Sequence, residues 1–468
     1  MMIAQLRIAA IAVALASLPA VAGAQQPARP REQPPALGTP KAFTLPARRE
    51  FTLANGMKVT FVPFGKIPKV GVFNAVRTGN IDEDASHTAL ADVTGELMRG
   101  GTTTRSALQV AELGAGMGGS VVVSIGVDVS QIGGTALAER GPDMVRLVAD
   151  VTRNPRFPES ELPRIIAGRV RNISIARSQP ATLARESFAK AIYGDHPYGR
   201  YFPTEAMLKS FTVAQVLDFY DRNFGAARSH LYVIGVFDQG AMEKAVRESF
   251  GDWKAGPPAS VNPASPRSAP MVTLIDRPNA PQSTIMMGLP VLAPTARDFI
   301  ALRVTDALLG GSFGSRITTN IREAKGYTYS PQSSLATNPG SATWDEYADV
   351  TTKFTGASIK EILGEVERLQ KDAPPAAELE GIKNNMIGIF TIQNASRNGI
   401  AGQLVNADVL GLGDDYLSSY VSRVSSVTAA DVQRVAREQI KPDRMTIVVV
   451  GDKKTVEEQL APYTKPVL

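Results

Sequence analysis

The alternation of apolar and polar positions divides most of the chain into strands and amphipathic helices. Residues 51–64, FTLANGMKVTFVPF, contain two strand-like runs on either side of Asn55-Gly56, a dipeptide that favours a two-residue hairpin turn. Beyond this hairpin, strand patterns alternate with long segments in which apolar residues recur at the three- and four-residue spacing of a helix. This succession predicts an α+β fold.

One arrangement occurs twice along the chain. Residues 212–235 align without a gap with residues 428–451, and six positions are identical, where chance would give roughly one or two. Both stretches predict a helix followed by an apolar strand that ends in glycine, LYVIG in the first copy and TIVVVG in the second. Residues 96–102 (ELMRGGT) likewise mirror residues 306–312 (DALLGGS). We infer that the chain contains two tandem copies of one domain.

Composition marks the boundaries of the two copies. The first residues are typical of a secretory signal, because a short polar start with Arg7 precedes an apolar run and the small residues Ala22, Gly23 and Ala24. Two later stretches are rich in proline, which neither a helix interior nor a central strand tolerates. The predicted segments are a cleavable signal peptide at residues 1–24, a flexible segment at 25–42, a first domain at 43–253, a linker at 254–270 and a second domain at 271–468.

The composition excludes several kinds of site. The 468 residues include no cysteine, which rules out disulfides, thiolate metal ligands, a cysteine nucleophile and the lipid-bearing cysteine of a lipoprotein. The formal net charge is only +5 and no dense Lys/Arg block occurs, so nucleic-acid binding has little support. The three histidines, His87, His196 and His230, are too widely separated to form a ligand motif.

The sequence supports neither a dinucleotide-binding site nor a serine hydrolase site. Residues 114–119 satisfy the Gly-x-Gly-x-x-Gly pattern of dinucleotide-binding loops, but a helical pattern precedes them and a strand pattern follows, which reverses the order that the motif needs. These glycines instead predict a helix-to-strand turn. No Gly-x-Ser-x-Gly elbow is evident, so serine hydrolase chemistry has little support, although a noncontiguous triad stays open.

The most informative segment is residues 310–330, GGSFGSRITTNIREAKGYTYS. Two isoleucines form an apolar helical stripe, Gly326 suits the end of the helix, and residues 327–329 have strand propensity. Arg322 is therefore expected near the helix end and Tyr329 in the strand. Without a family resemblance, a structural role would explain both residues: the helix dipole favours an arginine in the last turn, and a tyrosine in a strand usually packs against its neighbours.

This segment closely resembles the second-half signature of the pitrilysin/insulinase-type (inverzincin) zinc peptidases, which include the mitochondrial processing peptidase and its bacterial relatives. The resemblance extends over about residues 51–451. It implies two related domains, each a mainly antiparallel sheet with helices packed on it. It also implies that Arg322 and Tyr329 hold the substrate near the scissile bond, where a guanidinium can bind a carbonyl and a tyrosine hydroxyl can donate to an oxyanion.

The first half departs from this family at the zinc site. Active members carry His-x-x-Glu-His about six residues before a Gly-Thr pair, and Gly101-Thr102 aligns that motif with Asp92, Gly95 and Glu96. Both histidines and the catalytic glutamate are therefore missing. The distal carboxylate ligand would fall near residues 171–173, which are Arg, Asn and Ile. Asp92 and Glu96 share a helical face, but two carboxylates are too few for a cation site, so we expect no metal in this chain.

These observations predict the zinc-less subunit of an exported, periplasmic heterodimeric metallopeptidase. The expected partner is a homologous chain with an intact His-x-x-Glu-His motif and bound zinc, and the expected substrates are peptides or unfolded polypeptides. We expect no cofactor in this chain, no nucleic-acid partner and no membrane span after signal cleavage. The alternative is a non-catalytic peptide-binding or scaffold protein of the same fold. An independent enzyme with an unrecognised site ranks last.

Overall fold

Two β-sheets, each covered by helices, organise the described part of the protein. The computed structural model describes residues 43–464 except residues 261 and 269, so the predicted signal peptide at 1–24 and flexible segment at 25–42 lie outside the described residues. The described residues belong to one compact unit that mixes strands and helices. The predicted α+β fold is confirmed.

The first sheet is mainly antiparallel. Its strands are β1 (Arg49–Thr52), β2 (Lys58–Pro63), β3 (Lys69–Val76), β4 (Val121–Ile125), β5 (Ser130–Leu137) and β6 (Ser229–Gly235). They lie in the order β1-β2-β6-β3-β5-β4, and the parallel pair is β2 with β6. As predicted, β1 and β2 form an antiparallel hairpin around Asn55-Gly56, where Gly56 has a φ of 89°.

The second sheet repeats this arrangement without the extra first strand. Its strands are β7 (Met271–Asp276), β8 (Gln282–Val291), β9 (Gln332–Asn338), β10 (Ser341–Thr351) and β11 (Thr446–Gly451). They lie in the order β7-β11-β8-β10-β9, and the parallel pair is β7 with β11. The equivalent strand order is what tandem copies of one unit produce.

Helices cover both sheets. They are α1 (Leu90–Met98), α2 (Ala107–Gly116), α3 (Gly141–Arg153), α4 (Leu162–Arg177), α5 (Pro180–Tyr193), α6 (Glu205–Lys209), α7 (Val213–Asn223), α8 (Gln239–Phe250), α9 (Phe299–Leu309), α10 (Thr355–Lys371), α11 (Ala376–Gln393), α12 (Arg397–Leu410), α13 (Tyr416–Ser426), α14 (Ala429–Gln439) and α15 (Lys453–Leu460). A π-helix, Thr318–Ala324, precedes β9. Among the residues described, no helix combines the length and apolar character needed to cross a bilayer.

The aligned copies begin their helices in the same way. Thr212 accepts a hydrogen bond from the backbone N–H of Gln215, whose side chain accepts from the Thr212 N–H in return. Thr428 and Asp431 form the same reciprocal pair at the start of α14. This capping box satisfies N–H groups that a helix start leaves unpaired, which gives the identical threonines one physical role.

Each half packs one helix on the sheet of the other half. Helix α5 packs on β8 and β11, and helix α12 packs on β3 and β6. Where α12 meets β6, His230 Nδ1 lies 3.4 Å from Asp408 Oδ2. The equivalent contact of α5 is apolar, because Phe188 and Ile192 pack there against Val448. The two halves are therefore in direct contact through reciprocal but chemically different surfaces.

The segment around Arg322 differs from its prediction in two respects. The predicted helix is the π-helix Thr318–Ala324. The predicted strand at 327–329 is reduced to an isolated bridge between Thr328 and Val350, and β9 begins at Gln332. The side chain of Tyr327 packs in this segment, where its ring stacks on another aromatic ring.

Candidate functional site

The π-helix Thr318–Ala324 fixes the position of Arg322. Its Asn320 side-chain amide donates to the carboxylates of Glu361 and Glu365 on α10, at 3.0 and 2.6 Å. These bonds attach the turn to a long helix of the second half. Arg322 lies two residues after the attachment point, in the last turn of a π-helix, a conformation that is frequent at functional sites.

The end of the π-helix fixes Tyr329. Gly326 adopts the left-handed conformation with a φ of 66°, and the N–H groups of Gly326 and Tyr327 return to carbonyls of the preceding turn at 3.1 and 2.8 Å. The Tyr327 ring stacks on Phe354 with centroids 4.4 Å apart. The chain is therefore anchored just before Tyr329, which is itself 78% exposed.

The structure brings Arg322 and Tyr329 together. The Arg322 guanidinium carbon lies 4.9 Å from the centroid of the Tyr329 ring and 4.5 Å from that of Phe313. Its Nε lies 3.0 Å from the carboxylate of Glu323. The guanidinium thus contacts two exposed aromatic rings, an arrangement that is favourable electrostatically. Sequence reasoning missed Phe313, and the only signal was a large apolar residue among the glycines of GGSFGS.

At the zinc-motif positions of the first half, the structure places a guanidinium. Asp92 and Glu96 lie one turn apart on α1, and Arg169 of α4 reaches both carboxylates, with Nη2 3.4 Å from Asp92 Oδ1 and 2.7 Å from Glu96 Oε1. Counting along the chain placed the distal ligand position near residues 171–173, but the residue of α4 that contacts Asp92 and Glu96 is Arg169. The helix turns Arg171 and its neighbour to solvent, so the residue that faces α1 is Arg169.

Gly95 leaves no room for the glutamate of the family motif. A Cβ atom at Gly95 would lie 2.2 Å from Cγ1 of Ile125, far inside van der Waals contact. Gly95 therefore packs α1 closely against β4. The position that carries the general base in active members here carries no functional group.

A buried carboxyl group supports the start of α1. Glu83 accepts hydrogen bonds from the backbone N–H groups of Ala89 and Ala91, at 2.9 and 2.7 Å, and from the Asn80 amide at 3.0 Å. Burial raises the pKa of Glu83 to about 7, and nearby Asp92 adds to the increase. Glu83 replaces the missing side-chain cap of this helix, a role that sequence spacing did not reveal.

The residues at these positions do not fit zinc. Zinc sites use neutral imidazole, thiolate or carboxylate ligands, usually three or four of them. Here the two carboxylates are joined by a guanidinium, which has no lone pair to offer a metal. Elsewhere in the described ranges, no cluster of three or more His, Asp or Glu side chains has a suitable arrangement.

In the second half, the position equivalent to Glu96 carries Asp306. Asp306 is half-buried, and its carboxylate accepts from Ser333 Oγ at 2.6 Å and Trp344 Nε1 at 2.9 Å. Burial raises the pKa of Asp306 to about 6 and that of Asp345 to about 7. The pKa of fully buried Glu346 is raised well above its ordinary value, first by burial and then by repulsion from these two carboxyl groups. Asp345 and Glu346 are thus buried in the second half, next to the half-buried Asp306.

The three histidines lie in separate environments. His87 contacts Asp84 and Gln215, at 2.8 and 3.0 Å, whereas His196 contacts the carbonyl of Asn262 at 3.2 Å. His230 contacts Thr60 at 2.7 Å. Each imidazole is therefore held by hydrogen bonds within the protein.

Known proteins resemble this chain in sequence. The family described as "Peptidase M16 inactive domain" matches residues 210–386. A protein of Mycobacterium tuberculosis described as an uncharacterized zinc protease is 27% identical over 448 residues, which cover 88% of this chain and 96% of that protein. Together these similarities support the M16 peptidase family. The resemblance to a family of zinc peptidases is thus supported, whereas the role as a zinc-less subunit of a heterodimer stays a prediction.

Solved structures share the fold of this chain. A crystal structure of a peptidase M16 inactive domain from Pseudomonas fluorescens has a TM-score of 0.79 at 21% identity and covers 86% of this chain and 98% of its own. A crystal structure of a protease from Helicobacter pylori has a TM-score of 0.81 at 19% identity and covers 87% of this chain and 100% of its own. The predicted processing-peptidase-like fold is therefore confirmed.

Proposed function

We propose that the chain is the zinc-less subunit of an exported heterodimeric metallopeptidase. The observation that carries the proposal is the exposed contact between Arg322 and Tyr329 in the second half. In the first half, Arg169 ties together the positions where active members hold zinc. One half thus has groups suited to hold a peptide, whereas the other lacks groups suited to hold the metal. A homologous partner with an intact zinc motif would supply the missing part.

Arg322 is suited to bind a peptide carbonyl. Its Nε is engaged by Glu323 at 3.0 Å, and the guanidinium has two further nitrogens that can donate. The flanking rings restrict the side chain before any peptide arrives, so less conformational entropy is lost on binding. A planar guanidinium can then orient the carbonyl next to the scissile bond.

Tyr329 is suited to stabilise the oxyanion that forms during peptide hydrolysis. Its exposed side chain can donate from the phenolic hydroxyl, and donors aimed at the developing charge contribute strongly to catalysis. In our proposal the partner supplies zinc and the attack on the carbonyl. This chain orients the peptide and stabilises the charge that develops on it.

The proposed substrates are peptides or unfolded polypeptides in the periplasm. Arg322 and Tyr329 recognise the peptide group, which every extended chain exposes and a folded protein largely pairs internally. The export signal predicted at residues 1–24 supports a periplasmic location. A non-catalytic peptide-binding or scaffold protein would retain the same surface without an effect on any hydrolysis rate.

The test is reconstitution with a homologous exported chain that carries His-x-x-Glu-His, followed by a peptidase assay. Arg322→Ala or Tyr329→Phe should lower kcat at least about tenfold, a common loss when a transition-state donor is removed. Arg177→Ala and Tyr201→Phe are matched controls. Arg177 also lies over an aromatic ring, that of Phe202 at 5.3 Å, and Tyr201 is another exposed tyrosine.

Wild-type rates for both site variants would refute the proposed function. Peptide binding that depends on Arg322, without any change in the rate of a partner, would instead favour the scaffold alternative. Chelator-insensitive cleavage by the assembled pair would contradict the role assigned to the partner's zinc.

A further inference from the structure

Phe313 is among the most exposed large apolar side chains of the protein, at 76%. Isolated exposed apolar residues are common on soluble proteins, so exposure alone indicates nothing. Phe313 differs because its ring lies 4.5 Å from the guanidinium carbon of Arg322, on a loop between α9 and the π-helix. Its exposed surface is therefore part of the surface around Arg322.

The loop that carries Phe313 is held at its base. The N–H groups of Gly310 and Gly311 both donate to the carbonyl of Asp306, at 3.0 and 2.8 Å, and the Gly310 carbonyl accepts from the N–H of Ser333 on β9 at 3.2 Å. A Cβ atom at Gly310 would lie 2.6 Å from Ser333 Oγ, so this approach to the sheet requires glycine. The position of Phe313 is thus coupled to the sheet and to α9.

We propose that Phe313 is a specificity residue of the peptide site, which provides an apolar contact for a large aromatic or aliphatic side chain beside the peptide group held by Arg322. This inference rests on the proposed function. A carbonyl bound to Arg322 lies close to two aromatic rings, and neighbouring side chains of an extended peptide point to opposite sides. One of them can cover Phe313.

The chemistry of the two rings determines the preferred side chain. Tyr329 carries a hydroxyl that suits a polar contact, whereas Phe313 offers only apolar surface, whose burial is favourable in proportion to the apolar area covered. An acidic side chain is disfavoured because Glu323 already lies 3.0 Å from Arg322. The preferred peptides therefore carry Phe, Leu or Met next to the bound carbonyl, rather than Ala or Glu.

Binding to the full chain tests this inference without the partner. Fluorescence anisotropy is measured with labelled unstructured peptides that are identical except for a central Phe, Leu, Ala or Glu. The wild type should bind the Phe peptide about tenfold more tightly than the Ala peptide, a typical discrimination by one apolar contact. Phe313→Ala should remove this preference and Phe313→Leu should retain most of it. Ile392→Ala, at another residue with 74% exposure, should leave it unchanged.

The outcomes separate this inference from the proposed function. An unchanged Phe-to-Ala ratio in Phe313→Ala overturns the inference, whatever the role of Arg322. If Arg322→Ala and Tyr329→Phe leave hydrolysis by the reconstituted pair unchanged, the proposed function fails even where the binding preference holds. If Phe313→Ala weakens assembly with the partner but not the peptide preference, Phe313 is a subunit contact and the inference is wrong. Thermal melting of each variant excludes loss of folding as the cause.

Discussion

Replacing Arg169 with alanine tests whether a guanidinium connects two helices where the family motif has its metal ligands. Arg169 Nη2 lies 2.7 Å from Glu96 and 3.4 Å from Asp92, and the three side chains are 19%, 31% and 30% exposed. The substitution leaves two carboxylates one helical turn apart without their cation. Helix α1 also loses its polar attachment to α4.

The expected loss of stability follows from this partial burial. Removing one partner of a fully buried ion pair costs about 3–5 kcal/mol, whereas an exposed pair contributes about 0–1 kcal/mol. The Arg169 group lies between these limits, and repulsion between carboxylates at i and i+4 adds a few tenths of a kcal/mol. We expect the free energy of unfolding to fall by about 2 kcal/mol. For a compact unit of this size, this corresponds to a decrease in Tm of roughly 2–4 °C, because the entropy of unfolding increases with the number of residues.

Urea and thermal unfolding provide the assay, and Arg171→Ala is the matched control. Arg171 lies on the same helix but is exposed, so its replacement should change stability by less than about 0.5 kcal/mol. Arg169→Lys should retain part of the stability because it keeps the charge. In a double-mutant cycle, Glu96→Gln should cost less in the Arg169→Ala background than in the wild type. Equal midpoints for the two alanine variants, or additive effects in the cycle, would refute the reasoning.

Two further predictions concern metal content and pH. The purified chain should contain no stoichiometric zinc and cleave no peptide alone, and chelator-sensitive cleavage by the isolated chain in a peptidase assay would contradict this. Burial raises the pKa of Asp345 from an ordinary 3.8 to about 7 in the folded state, so its contribution to stability should be lost as pH rises from about 4 to about 7. Asp345→Asn should therefore gain roughly 1–3 kcal/mol relative to wild type at pH 8 but not at pH 4, by urea unfolding; parallel pH profiles would disprove it.

Local signals in the sequence are sufficient for the fold class and the internal similarity of the two halves. Thr212 and Thr428 are identical because each caps a helix, and the glycines that end β6 and β11 follow apolar strands in both halves. The Asn55-Gly56 turn likewise depends on a few adjacent residues. Interactions within one short segment leave a pattern in the sequence that propensity rules can interpret.

Contacts between distant segments were much harder to predict. Arg169 and Arg171 differ by two positions, which is about 200° around a helix, so only one of them can face α1. Counting along the chain cannot establish whether Arg169 or Arg171 faces α1, because this depends on how α4 packs against α1. The contact of Phe313 with Arg322 depends on a glycine-containing loop without apolar periodicity, and the π-helix depends on bonds from Asn320 to α10.

The internal similarity explains why the proposed function needs a second chain. Helix α2 and the π-helix occupy the same place in the two halves, each before the edge strand of its sheet, yet the sequence of α2, ALQVAELGAG, has no counterpart of Arg322. Conversely, Asp306 corresponds to Glu96 but is half-buried and accepts hydrogen bonds from Ser333 and Trp344. Across the described residues, no cluster of three or more His, Asp or Glu side chains could hold a metal ion beside Arg322 and Tyr329. Under the proposed function, the first half of a partner with this fold would have to face the second half of this chain.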